Sequence, residues 1–125
     1  MDVSLEKIEE NVYYAVAGSF GDKSKYAYKI LLKLGSQGKN AVAVNPKGGF
    51  VEEKECYKTI SDIPGKIEMV YLVTPPAVTE QIVKECIKKG IKNIWMQPGA
   101  ENGAAINLCK QNDINLVYNA CMLLT

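Results

Sequence analysis

The run EMVYLV, Glu68 to Val73, is almost unbroken apolar sequence of strand length, and it stops at Thr74-Pro75-Pro76. A strand with apolar residues on both faces needs cover on both, which is the position of an interior strand in a parallel sheet between helices. The next segment has helical spacing: Val78, Ile82 and Cys86 form one stripe with Val83 and Ile87 beside it, Glu80, Lys84, Lys88 and Lys89 face water, and Gly90 ends the run. The same alternation recurs along the chain. NVYYAVAG, NAVAV, KNIWM and INLVYN read as strands. Between the first two lies a helix starting at Ser24, with Ala27, Ile30, Leu31 and Leu34 inward and Gly35 closing it. ENGAAINLCKQN supplies another, with Ala105, Leu108 and Cys109 inward. This pattern predicts an α/β fold, a parallel sheet with helices on both faces. Ser4 is placed to cap a short helical start carrying Leu5 and Ile8. Between Phe50 and Ile67 the expectation is a short strand near Cys56-Tyr57 and one helical turn from Ile60 to Ile63.

The chain has 125 residues, 47% apolar and 23% charged, which suits one domain spanning 1–125 around one core. Fifteen basic and 14 acidic residues leave a net charge of +1, which argues against a broad nucleic-acid-binding or membrane-binding face, so any anion recognition is local. No segment approaches the roughly 20 apolar residues of a membrane span, and MDVSLEKIEE lacks the apolar run of a secretory signal. The expected location is the cytoplasm, with reduced thiols. The four cysteines form no C-x-x-C pair and histidine is absent, so no metal site is expected. The missing histidine also removes the commonest general base and the Ser-His-Asp and Cys-His arrangements. No catalytic residue is assigned.

In an open parallel sheet, ligands bind beyond the carboxyl ends of the strands, where strand order reverses. Five loops meet there: GSFGDKSKY, NPKGG, TPP, QPGAE and NAC. The first joins a strand to a helix and offers backbone N–H groups to a phosphate. Its dinucleotide fingerprint is incomplete, with Phe20 and Lys23 at glycine positions in one register and Val16 in the other; a plain β-to-α turn is the alternative. The second loop discriminates better. NAD sites place an acidic residue about 20 residues after the fingerprint to hold the ribose hydroxyls, and this chain has Asn45-Pro46-Lys47 instead. Lysine attracts a phosphate on the ribose by about 4 kcal/mol for unit charges 4 Å apart at an effective dielectric of 20, less solvent screening. A solvated turn lysine is the other reading. Thr74-Pro75-Pro76 either walls a ligand or simply connects strand to helix, and Glu101 suits a helix start better than catalysis.

The order and spacing of the Gly18 loop with Lys25, VNPK, CYKTISDIP, TPP, QPGAEN and NAC resemble the coenzyme A-binding domain family, single-domain relatives of the amino-terminal domain of the succinyl-coenzyme A synthetase alpha subunit. The resemblance runs from about Val12 to Met122. It implies a Rossmann-like domain with coenzyme A along the carboxyl edge of its sheet. Ala17, Gly18, Ser19 and Phe20 would approach the phosphates, and Lys25 would add a charge. Asn45, Pro46 and Lys47 would hold the adenosine end, Val73, Thr74 and Pro75 would flank the ligand, and Gln97 and Asn119 would lie nearer the pantetheine. Phe20 departs from the family pattern, which has serine there, while Ser19 sits one place earlier.

The leading expectation is a coenzyme A or acyl-coenzyme A binding protein without catalysis of its own, since synthetase relatives use a phosphorylated histidine from further sequence. The expected partners are the coenzyme and either a partner subunit or a second copy in a homo-oligomer. An NADP-binding oxidoreductase or redox sensor is the first alternative, and an interaction scaffold that has lost its ligand the second, with Phe20 as its evidence. Cys56, Cys86 and Cys109 read as small core residues. Cys121 lies where the thiol end of the coenzyme would reach, and reads as an inert thiol.

Overall fold

The computed structural model describes residues 11–125, so the helical start expected around Ser4 lies outside the described residues. Seven strands and three α-helices follow in the order β1 (Val12–Ala17), α1 (Tyr26–Ser36), β2 (Ala41–Val44), β3 (Phe50–Val51), β4 (Lys54–Glu55), β5 (Lys66–Leu72), α2 (Pro76–Lys89), β6 (Asn93–Met96), α3 (Gly103–Gln111) and β7 (Asn115–Val117). Two 3₁₀ turns, Ile60–Asp62 and Met122–Leu124, also lie among the described residues. Five strands form one sheet in the order β2-β1-β5-β6-β7, every neighbouring pair parallel. The expected α/β architecture is present, and the strand order reverses between β1 and β5.

Alternation along each strand divides the core between the two faces. Ala15 and Ala17 of β1, Val42 and Val44 of β2, and Val70 and Leu72 of β5 pack with Val83 and Cys86 of α2 and Ala105 and Cys109 of α3. Val16, Ala41, Ala43 and Tyr71 point the other way, onto Ala27, Ile30, Leu31 and Leu34 of α1. Helices therefore cover both faces, α1 on one and α2 with α3 on the other.

The termini of the helices follow local chemistry. Pro76 occupies the start of α2, where a missing N–H costs nothing. At its far end Gly90 is left-handed (φ 79°), its N–H bonds Ile87 O, and Ile91 N–H reaches back to Cys86 O at 3.0 Å, a Schellman ending. Asn102 caps α3 by accepting the Ala105 N–H at 2.6 Å. Gly35 departs from expectation. It lies inside α1, the helix continues through Ser36, and the left-handed glycine is Gly38 at φ 81°. The inner face of α2 is also turned by one residue, with Thr79, Val83 and Cys86 buried and Val78 43% exposed. Thr79 is tolerated inside because its hydroxyl shares a 2.6 Å hydrogen bond with that of Thr74.

Between β2 and β5 the expected short strand reduces to a single parallel bridge from Val44 to Tyr57, and the Ile60 turn is present as 3₁₀ helix. Ahead of the bridge stands an antiparallel hairpin, β3 with β4, which the sequence pattern does not announce: its turn residues, Glu52 and Glu53, adopt positive φ (52° and 65°) without being glycine or asparagine.

Gly18 sets the spacing at the switch point. A Cβ built there would lie 2.7 Å from Ala27 Cβ and 3.0 Å from the Val73 carbonyl oxygen, so β1, α1 and the end of β5 meet this closely only because the side chain is absent. Gly18→Ala is expected to lower unfolding stability by about 1–3 kcal/mol through overpacking, measured by denaturant titration. The buried thiols give a second expectation. Burial pushes Cys86 well above the ordinary thiol range and Cys109 to about 11, and raises Cys56. A thiol reagent at neutral pH should label Cys121 and reach the other three only on unfolding. Stability should also fall as pH climbs from about 9 toward 11, where unfolded thiols ionise and the buried Cys109 keeps its proton.

Candidate functional site

Three adjoining hollows open along the carboxyl edge of the sheet. The first, about 270 Å³, sits at the switch point between Ala17, Gly18 and Ser19 on one side and Val73, Thr74 and Pro75 on the other, with Asn45 and Pro46 at its end. The second, about 380 Å³, continues past Ser19 and Asn45 to Phe20, Lys25 and Lys47, under the hairpin residue Phe50. The third, about 400 Å³, lies on the α1 face, where Val73 and Gln97 face Tyr26, Ile30, Cys121 and Leu123. Ser19 and Asn45 belong to the first two, and Val73 joins the first to the third.

Asn45 holds the two leading loops together. Its Nδ2 donates to the Gly18 carbonyl at 2.7 Å, and its Oδ1 accepts the Lys47 N–H at 2.9 Å, an Asx turn that fixes the direction in which the chain leaves β2. With both ends of its amide engaged, Asn45 shapes the site. Lys47 and Lys25 then lie along the same hollow, Lys25 at the start of α1, whose first turn has no side-chain cap.

Two groups that sequence reasoning did not single out complete the picture. Lys58 lines the first hollow and crosses Gly48, where a Cβ would come within 3.1 Å of its Cε. It is carried there by the Tyr57 bridge, a tertiary contact with no local signature. Glu85 of α2 lies in the same wall, but its carboxylate accepts the N–H groups of Ile60 and Ser61 at 3.4 and 3.2 Å and so caps the 3₁₀ turn. Other nearby carboxylates are also engaged: Glu52 accepts the Tyr28 hydroxyl at 2.7 Å, and Asp22 accepts both the N–H and the hydroxyl of Ser24, which hold its carboxyl below the usual range. The electrostatic balance of the two hollows favours an anion.

Phe20 does not line the hollow at Gly18. Its ring leans on Tyr28, centroids 6.1 Å apart and tilted by 57°, and forms part of the wall beside Lys25 and Lys47. Gln97 is 3% exposed and its Oε1 accepts the Met122 N–H at 2.9 Å. Asn119 is exposed, left-handed at φ 62°, and lines none of the three hollows. The structure therefore gathers the expected residues from Ala17 to Pro75 around two connected hollows, puts Gln97 in a third, and leaves Asn119 apart. The Met122–Leu124 turn, absent from the sequence expectation, forms the outer wall of that third hollow, tied down by Trp95 Nε1 to Ala120 O (2.8 Å) and by Lys33 Nζ to Met122 O (2.9 Å).

Comparison with known proteins agrees with this geometry. Residues 13–125 match the model of the CoA binding domain. The alpha subunit of ADP-forming acetate–CoA ligase I from Pyrococcus furiosus is 33% identical over 97 residues, 72% of this chain and 21% of that subunit; ADP-forming acetate–CoA ligase from Methanocaldococcus jannaschii is 29% identical over 91 residues, 73% of this chain and 13% of the ligase. The chain thus spans about a fifth or less of these curated relatives. Among solved structures, a conserved hypothetical protein from Pyrococcus furiosus superposes with a TM-score of 0.83 at 28% identity, covering 91% of this chain and 97% of the other. A hypothetical protein from Pyrococcus horikoshii gives 0.85 at 30% identity, covering 97% and 84%. With its parallel sheet, its switch-point crevice and a family match over nearly all of its length, this chain belongs to the coenzyme A-binding domain family.

Proposed function

We propose that this chain is a coenzyme A or acyl-coenzyme A binding module without catalysis of its own. The observation that carries the reading is the pair of connected hollows at the switch point, with Gly18 at their base and Lys25, Lys47 and Lys58 along their walls. In this reading the coenzyme's phosphates lie against the Gly18 loop with Lys25 adding a charge, the adenosine end with its ribose phosphate lies against Asn45, Pro46 and Lys47, and the pantetheine passes Val73, Thr74 and Pro75 toward Gln97. The aromatic rings of Phe20 and Phe50, the latter 77% exposed, stand where an adenine would stack. The position of Phe20 against Tyr28 leaves the Gly18 hollow open, which weighs against a scaffold that has lost its ligand.

Two further points support a binding role. The sequence has no histidine, and the described carboxylates around the hollows are engaged in structural hydrogen bonds, so no evident acid–base pair among the described residues faces the ligand. A solved relative of nearly the same extent, with 97% of its length covered, is a chain of this size. A partner subunit that supplies chemistry is compatible with the ligase subunits among the relatives.

Coenzyme A should raise the melting temperature more than dephospho-coenzyme A does, because only the former carries the ribose phosphate that Lys47 would meet. Lys47→Ala should weaken coenzyme A binding about tenfold, the scale of one charge-assisted hydrogen bond, and narrow the gap between the two ligands. Equal shifts in the unmodified protein would remove Lys47 from the reading. An NADPH fluorescence titration, expected to show no binding, tests the oxidoreductase alternative directly.

A further inference from the structure

The third hollow is not needed by the nucleotide. Its wall is largely apolar, formed by Tyr26, Ile30, Val73, Cys121, Leu123 and Leu124, and Tyr26 and Leu124 at its rim leave 65% and 87% of their surface exposed. Exposed apolar side chains grouped at a cavity mouth mark a place where something apolar binds. The cavity also contains one buried polar side chain, Gln97. Because its Oε1 accepts the Met122 N–H, the orientation of the amide is fixed by the hydrogen bond, and Nε2 is the opposite end. That Nε2 is buried and has no partner among the described residues. A buried donor left unpaired is costly, and such groups call for a ligand or another explanation.

The cavity meets the switch-point hollow at Val73, which lines both. A ligand lying along the first two hollows and continuing past Val73 would deliver its far end here. The far end suited to this wall is an apolar chain with a carbonyl oxygen near its point of attachment. We infer that the cavity holds the acyl chain of an acyl-coenzyme A thioester, with Gln97 Nε2 donating to the thioester carbonyl and Tyr26, Ile30 and Leu124 packing on the hydrocarbon. This assignment rests on the coenzyme-binding reading above and narrows it from the free thiol to the thioester. It also gives Cys121 a role as a small wall residue facing the chain.

Isothermal titration of the full chain with coenzyme A, acetyl-, butyryl- and octanoyl-coenzyme A tests the inference. Affinity should climb by about two- to fourfold per methylene, the increment for apolar burial, until the cavity is filled. S-octyl-coenzyme A, a thioether without the carbonyl, should bind about tenfold more weakly than octanoyl-coenzyme A, and free octanoate should not bind measurably. Cys121→Phe, which fills the cavity, should cancel the gain from the chain, so that octanoyl-coenzyme A binds no tighter than coenzyme A. Leu124→Ser, at a position whose side chain is 87% exposed, should reduce the same gain. Equal affinity across the acyl series overturns the acyl assignment and leaves coenzyme binding intact. Equal affinity for the thioester and the thioether overturns the role of Gln97. Absence of binding by every member, coenzyme A included, overturns the proposed function itself.

Discussion

Everything at the carboxyl edge depends on one close approach. Where Gly18 ends β1, the backbone passes within contact of Ala27 and of the Val73 carbonyl, bringing the first loop, the helix behind it and the neighbouring strand to a common point. Asn45 then ties the second loop to the first through the Gly18 carbonyl. The hollows are the space left around this junction, and their shape is therefore set by backbone packing, with the lysine side chains disposed around a rigid base.

Three carboxylates near the site are held in place by hydrogen bonds at its border. Glu85 is spent on the N–H groups of the Ile60 turn, Glu52 on Tyr28, and Asp22 on Ser24. Each stabilises a loop that borders the site, so the negative charges serve as fasteners while the lysines face the hollows. Loops of this kind need fixed internal bonds, because an irregular backbone has no ladder to satisfy it.

Most of the sheet was legible because buried parallel strands leave a signal that survives without context. AVAV, EMVYLV and NIWM stand out by apolar continuity alone, and the helices between them by spacing. The loop residues Gly18, Asn45, Lys47 and Thr74 could be singled out because sheet topology assigns ligands to strand ends. What was illegible depends on contacts between distant residues. The α2 stripe is shifted because Thr79 finds a hydroxyl partner in Thr74, and hydropathy alone gives a threonine no reason to be inside. The β3–β4 hairpin turns through two glutamates in left-handed conformation, and Lys58 reaches the site through a single bridge to Val44. The C-terminal turn is held by Trp95, Gln97 and Lys33, none of them near it in sequence.

The pairing of β1 has a consequence for how the chain is made. Tyr14 is matched to Ala41 on one side and to Met69 on the other, so β1 lies inside the sheet with both of its partners later in the chain. Loop closure of that length must precede any reward from the central pairings, which slows assembly. Until residues beyond Leu72 have emerged, the apolar strand VYYAVA has an open edge, and this interval is when the nascent protein is most exposed to aggregation.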